Sequence, residues 1–274
     1  MAIAGATMKP VSKTAFYCCA VRALDAQSEN PICGDQYAQR FMDGDEHEML
    51  ELCRSMRRRT VTNVARARII DDKLRATLAG NPDQAIVVIG TGFDSRPYRL
   101  SGGHWYEFDE HALIDYKESK LPTSECGNRL RRIPIDFASD SLEMKLLELG
   151  LDEPVIVVME GVTMYLEEGQ LRSNLRAFRR AFPRHTLICD LLQQRFLRYT
   201  EPLRKTLEGF GAVWRLRSER PAEIVVSEGY RELDEIPLVD RAAELGAFWM
   251  PRLIRRTLLR DLAYGYCVHE FECP

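Results

Sequence analysis

Apolar residues fall at helical spacing through the first part of the chain. Ala15, Cys19 and Ala23 recur four apart, and VTNVARARIIDDKLRATLAG (61–80) carries one apolar stripe that stops at Gly80. Residues 12–80 are therefore expected to form a helical cap. After Asn81 and Pro82 the pattern changes to short β-branched runs separated by helical stretches, the mark of βαβ units around a parallel sheet. AIVVIG (85–90), HWYEFD (104–109), LRRIPI (130–135), PVIVVME (154–160) and HTLICDLL (185–192) read as strands, with EEGQLRSNLRAFRRAF (167–182) as a helix. VIVVM shows no polar alternation because both faces of a central parallel strand are covered by helices. Further on, YRELDEIPL and YGYCVHEFE read as two more strands, expected as an antiparallel edge hairpin or pair. The fold class is thus α/β, with seven strands in a mostly parallel sheet.

Bulk properties narrow the function classes. The 274 residues, 45% hydrophobic, can bury one large core, and proline and glycine are spread rather than pooled into a linker, so a single domain is expected. A formal charge of -3 gives no field toward phosphate backbones or anionic membranes, and neither nucleic acid nor membrane is expected as a partner. There is no signal-peptide pattern at the start and no apolar run near the roughly 18 residues of a spanning helix, which predicts a cytoplasmic protein. Eight cysteines without a C-x-x-C pair read as reduced thiols. Five histidines without H-x-x-x-H spacing predict no metal site.

The chemistry concentrates in VIGTGFDSRPYRL (88–100), where Gly90 and Gly92 follow an apolar strand at the point where a helix would start. Without Cβ atoms, both let backbone approach a ligand. Nineteen residues past Gly90, HWYEFD ends in Asp109, from which a carboxylate can accept both hydroxyls of an adenosine ribose. A tight turn and a helix cap would use the same residues. A dinucleotide-binding loop would read G-x-G-x-x-G; here Ser95 stands at the third glycine, which tilts the reading away from a nicotinamide cofactor.

Further motifs accompany this loop in a fixed order. An early helix carries Thr14, Ala15, Arg22 and Ala23, followed by Asp35, Ala38 and Phe41 in D-x-x-A-x-x-F spacing. A second helix carries Arg66, Arg68 and Asp71; then come the loop at 90–100, Glu107 and Asp109, a strand closing on Asp136, and E-G-V-T-M-Y-L at 160–166. Over residues 12–190 the chain resembles the leucine carboxyl methyltransferases and the related bacterial polyketide O-methyltransferases, with E-G-V-T-M-Y-L the most specific element.

That resemblance implies a Rossmann-like class I methyltransferase fold, S-adenosylmethionine as cofactor and transfer of its methyl group to oxygen. The parts would be the cap (12–80), a cofactor-binding core (81–192) and a substrate-side insert with the last strands (193–274). Arg66, with Arg22 as a second candidate, would meet the methionine carboxylate, for which a planar, permanently charged guanidinium is the natural partner. Gly90, Thr91, Gly92, Asp94 and Arg96 of the loop, Asp109 and Glu110 beside the ribose, and Asp136 and Phe137 at the adenine complete the expected cofactor site. Glu160 and Gly161 lie beside the cofactor in this reading. A glutamate ending VIVVME is costly unless satisfied. Glu160 and Tyr165 are the catalytic candidates.

Methyl transfer from a sulfonium is one in-line displacement, so positioning matters most and a strong base is optional. A carboxylate acceptor is already ionised at neutral pH, whereas a hydroxyl needs a base. His104 and His111 flank a strand and are expected in packing or surface roles; no convincing base stands out. The stretch 193–229, with Phe196, Tyr199, Phe210 and Trp214, could line an apolar acceptor pocket. Arg198, Arg204, Lys205, Arg215 and Arg217 could add a carboxylate clamp, or the whole stretch could be a plain amphipathic helix. The run Arg54, Arg57, Arg58, Arg59 reads as a solvated face. The expected acceptor is a small molecule, carboxylate slightly ahead of hydroxyl, and the expected state is a monomer or homodimer. A nicotinamide-dependent oxidoreductase, a non-catalytic cofactor scaffold and a protein carboxyl methyltransferase are the alternatives.

Overall fold

A computed structural model describes residues 2–3, 6–7, 10–42, 47–55, 57–209 and 211–274, with the side chains of 14–42, 49–54, 61–209, 211–255 and 257–274. The cap begins with α1 (Pro10–Ala26), α2 (His47–Ser55) and the long α3 (Arg57–Gly80), which ends at Gly80 as its apolar stripe does. The core follows as β1 (Ala85–Ile89), α4 (Arg96–Arg99), β2 (His104–Asp109), α5 (His111–Lys120), β3 (Arg129–Pro134), α6 (Leu142–Leu147), β4 (Val155–Met159), α7 (Glu168–Ala181) and β5 (His185–Leu192). Then come α8 (Leu197–Gly209), α9 (Pro221–Ser227), β6 (Arg231–Pro237), α10 (Leu238–Glu244), α11 (Arg252–Arg256), α12 (Arg260–Tyr264) and β7 (Tyr266–Cys273).

The seven strands form one sheet in the order β3-β2-β1-β4-β5-β7-β6, in which β7 alone runs antiparallel to its neighbours. Every residue of β1 and of β4 is buried, as uninterrupted β-branched runs at the centre of a parallel sheet require. The expected strands appear within a residue or so of their predicted bounds. The last two strands do pair antiparallel at the edge of the sheet, as the pair and not the hairpin of the two expected arrangements. Three helices separate them, and β7 inserts between β5 and β6, pairing with β5 from His185↔Cys273 to Leu192↔Tyr266. The reason lies in their composition. β7 is buried along most of its length, while β6 (RELDEIP) is largely exposed, and its acidic side chains suit an edge that must not pair further.

The cap is fastened to the core by aromatic and ionic contacts. Phe41 stacks on Phe93 with ring centroids 4.6 Å apart, and Phe16 meets the same ring edge-on at 4.7 Å. Asp35 pairs with Arg22 at 2.9 Å and accepts from the Ser95 hydroxyl at 2.5 Å. Ser95 therefore bonds to the cap at the place where a dinucleotide loop keeps its third glycine.

Candidate functional site

Strand order reverses between β1 and β4, so the chain leaves their ends in opposite directions and opens a crevice at the carboxyl edge of the sheet. Two glycines shape its floor. Gly90 has φ +69, and a Cβ there would lie 2.5 Å from the Val162 side chain; Gly92 has φ +50 and faces Ala15 of α1. The backbone N–H groups of Gly90 and Thr91 donate to Phe108 O at 2.9 and 3.1 Å, tying the loop to β2.

Asp109, at the end of β2, accepts from Gly92 N at 2.7 Å and from Glu110 N at 2.8 Å. Burial outweighs these two donors and raises its carboxyl to about 6. Below it, Lys117 reaches Thr91 Oγ1 at 3.0 Å and Glu107 Oε1 at 2.8 Å, and Arg132 holds the other oxygen of Glu107 at 3.1 Å.

A chain of buried charges runs from the loop across to β5. Arg96 donates to Asp71 at 2.6 Å, Asp94 at 2.7 Å and Ala67 O at 3.2 Å, and pairs with Glu160 Oε2 at 2.7 Å. Arg66 donates to the other oxygen of Glu160 at 3.0 Å, to Asp190 at 3.1 Å and to the Tyr266 hydroxyl at 2.6 Å. Burial alone would push the Glu160 carboxyl up, but the guanidiniums of Arg96 and Arg66 hold it below the usual carboxylate range. Asp94 stays near 2 because Arg96, Lys117 and Arg99 overcome the effect of its burial. Arg22 completes the wall, bonded to Asp35 and to Phe93 O at 2.7 Å.

These groups border two cavities. The first, about 800 Å³, lies over the glycine loop and is lined by every predicted site residue except Asp136. The second, about 1670 Å³, lies between the cap, α8 and the segment around Phe248. Cys18, Arg66, Gly161 and Tyr165 line both, so the cavities meet there.

The structure rearranges several expectations. Asp136 closes a local turn instead of lining the cavity: its carboxylate accepts from Ala138 N and its own N–H donates to Asp140, both at 3.0 Å, while Phe137 beside it does line the cavity. Arg96 lines the cavity, yet its donors are committed to the protein, which makes it a brace for Glu160. His104 sits 3.5 Å from Asp83 at the opposite end of β2, and His111 is exposed and lines neither cavity. Tyr165 is at the junction, but burial raises its hydroxyl to about 12.

The expected carboxylate clamp is not assembled in the second cavity. Arg198 pairs with Asp261, Arg204 with Glu208, Lys205 with Glu201 and Arg215 with Glu167, while Arg217 is exposed; none of the five lines it. Arg215 instead borders the first cavity, with its head paired to Glu167, and Arg204 is only partly exposed. Phe196 and Trp214 are buried and, with Tyr199, line the second cavity. Phe210 and the side chains of Arg57, Arg58 and Arg59 lie outside the described residues; Arg54 is exposed and paired with Glu51.

Sequence reading missed Cys18, Asp190 and Tyr266. Asp190 carried a signal, an acidic residue inside the apolar run ICDLL of a central strand, the same logic that singled out Glu160. Glu235, Cys267 and His269 bring one donor atom each within 4.8 Å across β6 and β7, but His269 Nδ1 is engaged by Glu232 at 2.6 Å and Cys267 donates to Tyr264 O. They form a hydrogen-bonded edge cluster away from both cavities.

A 3-2-1-4-5-7-6 sheet with a charged cavity at its switch point and an acidic residue ending β2 defines a class I methyltransferase. The family model for leucine carboxyl methyltransferase matches residues 15–179, more than half of the chain, and the chain belongs to that family. Among its relatives is the tetracenomycin polyketide synthesis O-methyltransferase TcmP of Streptomyces glaucescens, 27% identical over 208 residues that cover 74% of each chain. Among solved structures, a DUF574 family protein of Streptomyces avermitilis superposes with a TM-score of 0.58 at 14% identity, covering 93% of this chain and 97% of that one. The magnesium protoporphyrin IX methyltransferase of Synechocystis, solved with bound SAH, gives 0.51 at 14% identity over 88% of this chain and 94% of its own. At such identities the two structures speak to the fold.

Proposed function

We propose that this enzyme transfers a methyl group from S-adenosylmethionine to an oxygen of a small molecule held in the second cavity. The observation that carries the proposal is the meeting of the two cavities at Cys18, Arg66, Gly161 and Tyr165. The first cavity fits the cofactor. Arg66 keeps one guanidinium nitrogen directed only at the Cys18 sulfur, 3.8 Å away, and with Arg22 it can take the methionine carboxylate. Gly92 and Asp109 suit the ribose, and Phe137 suits the flat purine.

When bound, the cofactor supplies an electrophilic methyl on a sulfonium, which passes to the acceptor oxygen in one displacement as the sulfur leaves as a thioether. The chain contributes position and dryness. Glu160 is ionised but tied to two arginines, and Tyr165 keeps its proton at neutral pH, so neither is a base poised for neutral-pH proton removal. This favours an acceptor that arrives ionised, a carboxylate, over a hydroxyl with an ordinary high pKa. The named activity of the Streptomyces glaucescens relative, an O-methyltransferase, supports oxygen as the acceptor atom. A formal charge of -3 argues for a small-molecule partner over nucleic acid, and among the described residues no helix is long and apolar enough to cross a membrane. The test is to incubate the purified protein with S-adenosylmethionine and a panel of aromatic acids, phenols, amines and a peptide with a free C-terminal carboxylate. Esters or ethers of the small molecules support the proposal. Cofactor binding without any S-adenosylhomocysteine formed, or methylation confined to the peptide or the amines, overturns it.

A further inference from the structure

Net charge conceals one segment of a different character. LGAFWMPRLIRRTLLR (245–260) holds four arginines and no acid, although the whole chain carries a formal charge of -3. The acids on either side are engaged, Glu244 with Arg241 and Asp261 with Arg198. Within the segment Trp249 is 88% exposed, Leu258 82% and Leu253 73%, and Ile254 is exposed beside them. Single bare leucines are ordinary on a protein surface, but large apolar residues gathered between 249 and 258 mark an interaction site. We infer that this segment docks on an anionic lipid surface, with Trp249, Leu253 and Leu258 entering the headgroup layer and Arg252 and Arg260 meeting lipid phosphates. The expectation of no membrane partner followed from net charge, which does not describe a patch this local.

The segment is fixed to the body of the protein by its inner side. Arg255 is buried, donates to Asp240 O at 2.9 Å and pairs with Asp240 Oδ1 at 3.0 Å. A residue two places away on a helix lies on the opposite side, so Leu253 of α11 faces outward where Arg255 faces in. The turn that follows is closed by Thr257 N and Oγ1, which donate to Leu253 O at 3.1 and 2.7 Å, and by Leu259 N, which donates to Ile254 O at 3.0 Å. Arg252 and Arg260 are exposed and have no ion partner among the described residues.

The occupant follows from shape and charge. Side chains as bare as Trp249 and Leu258 protrude, and a fluid lipid layer closes around protruding groups without the matching pockets that a folded partner must supply. Tryptophan at the level of the headgroups and arginines reaching lipid phosphates are the ordinary composition of an interfacial segment. A second copy suits the patch poorly: a two-fold contact sets the same surface against itself, which would bring Arg252 and Arg260 toward their own copies with no acid of the segment to offset them. Phe248, Trp249 and Met250 also line the second cavity, so that cavity reaches the surface within the patch.

Flotation of the full chain with vesicles tests this, using phosphatidylcholine alone and phosphatidylcholine with about one third phosphatidylglycerol. The protein should float with the anionic vesicles and bind pure phosphatidylcholine about tenfold or more weakly. Tryptophan emission should shift to the blue on binding, and because Trp105 and Trp214 are buried the shift reports Trp249. The pair Leu253→Ser and Leu258→Ser, and separately the pair Arg252→Gln and Arg260→Gln, should each weaken binding about tenfold while leaving circular dichroism unchanged, since all four positions are exposed. No flotation with anionic vesicles, flotation that neither pair weakens, or flotation without an emission shift would each overturn the inference. So would a dimer in lipid-free sedimentation that the leucine pair splits, which assigns the patch to a second copy. An emission shift with polyglutamate but not with vesicles would overturn it in favour of an acidic protein. No cofactor enters the assay, so its result is independent of the methyl-transfer reading.

Discussion

Arg66 Nε donates to Glu160 Oε1 across 3.0 Å, although the two residues stand 94 positions apart, one on the cap and the other at the end of β4. This pair ties the cap to the wall of the first cavity. Arg66 is buried and Glu160 is largely covered, so each depends on the other for compensation of its charge.

Arg66→Met is expected to destabilise the fold by about 3–5 kcal/mol, because it leaves Glu160 and Asp190 short of a buried partner. In a protein of this size the thermal midpoint should fall by roughly 10 °C. Glu160→Gln keeps an acceptor for Arg66 and should cost less. Scanning calorimetry of both variants checks this, and a midpoint unchanged in Arg66→Met would show that the ion network is dispensable.

Gly92→Val should abolish cofactor binding. A β-branched residue at φ +50 is strained, and its side chain would fill the space between the loop and Ala15. Circular dichroism should remain near that of the wild type while calorimetric affinity for S-adenosylmethionine falls by 30-fold or more. Retained affinity would remove the loop from the cofactor site.

Asp109 gives a pH signature. Its carboxyl, raised by burial to about 6, must be ionised to accept two ribose hydroxyls. Cofactor affinity should be constant above about pH 7 and weaken as pH falls through 6. For stability the sign is opposite: because the folded-state pKa is raised from 3.8, this group contributes stability at pH below about 4 that is lost as pH rises through about 6. Asp109→Asn should bind weakly at all pH values and lose the dependence. If the wild type binds equally at pH 5 and pH 8, another residue holds the ribose.

With a carboxylate acceptor, kcat/KM should be nearly flat from about pH 6.5 to 8.5, since Glu160 stays ionised and Tyr165, at about 12, stays protonated. Tyr165→Phe should change the rate by less than about tenfold and leave the profile's shape intact. A steep acid limb that vanishes in Tyr165→Phe would instead make that tyrosine the base for a hydroxyl acceptor.

The sheet and the glycine loop were legible because their signals are local. An unbroken β-branched run marks a central strand, and glycines after it mark a close backbone approach. Helix ends were equally readable, as Gly80 shows. The order of β6 and β7 was not, since strand insertion depends on which strand can bury both faces against distant neighbours. Asp136 closes the turn after its strand, and an aspartate closing a turn and an aspartate facing a ligand follow a strand in the same way.

The position of β7 has a consequence for synthesis. Tyr266, its first residue, supplies the hydroxyl that joins Arg66 to Asp190. The glycine loop emerges from the ribosome about 170 residues earlier, yet the buried charges around it cannot all be paired until this strand has been made and threaded between β5 and β6. A nascent chain arrested before residue 266 would hold a formed β1–β4 crevice with its central arginine short of a partner. On the methyl-transfer reading, cofactor capture by such a chain should be poor, which would make this strand the step that commits the newly made enzyme to its ligand.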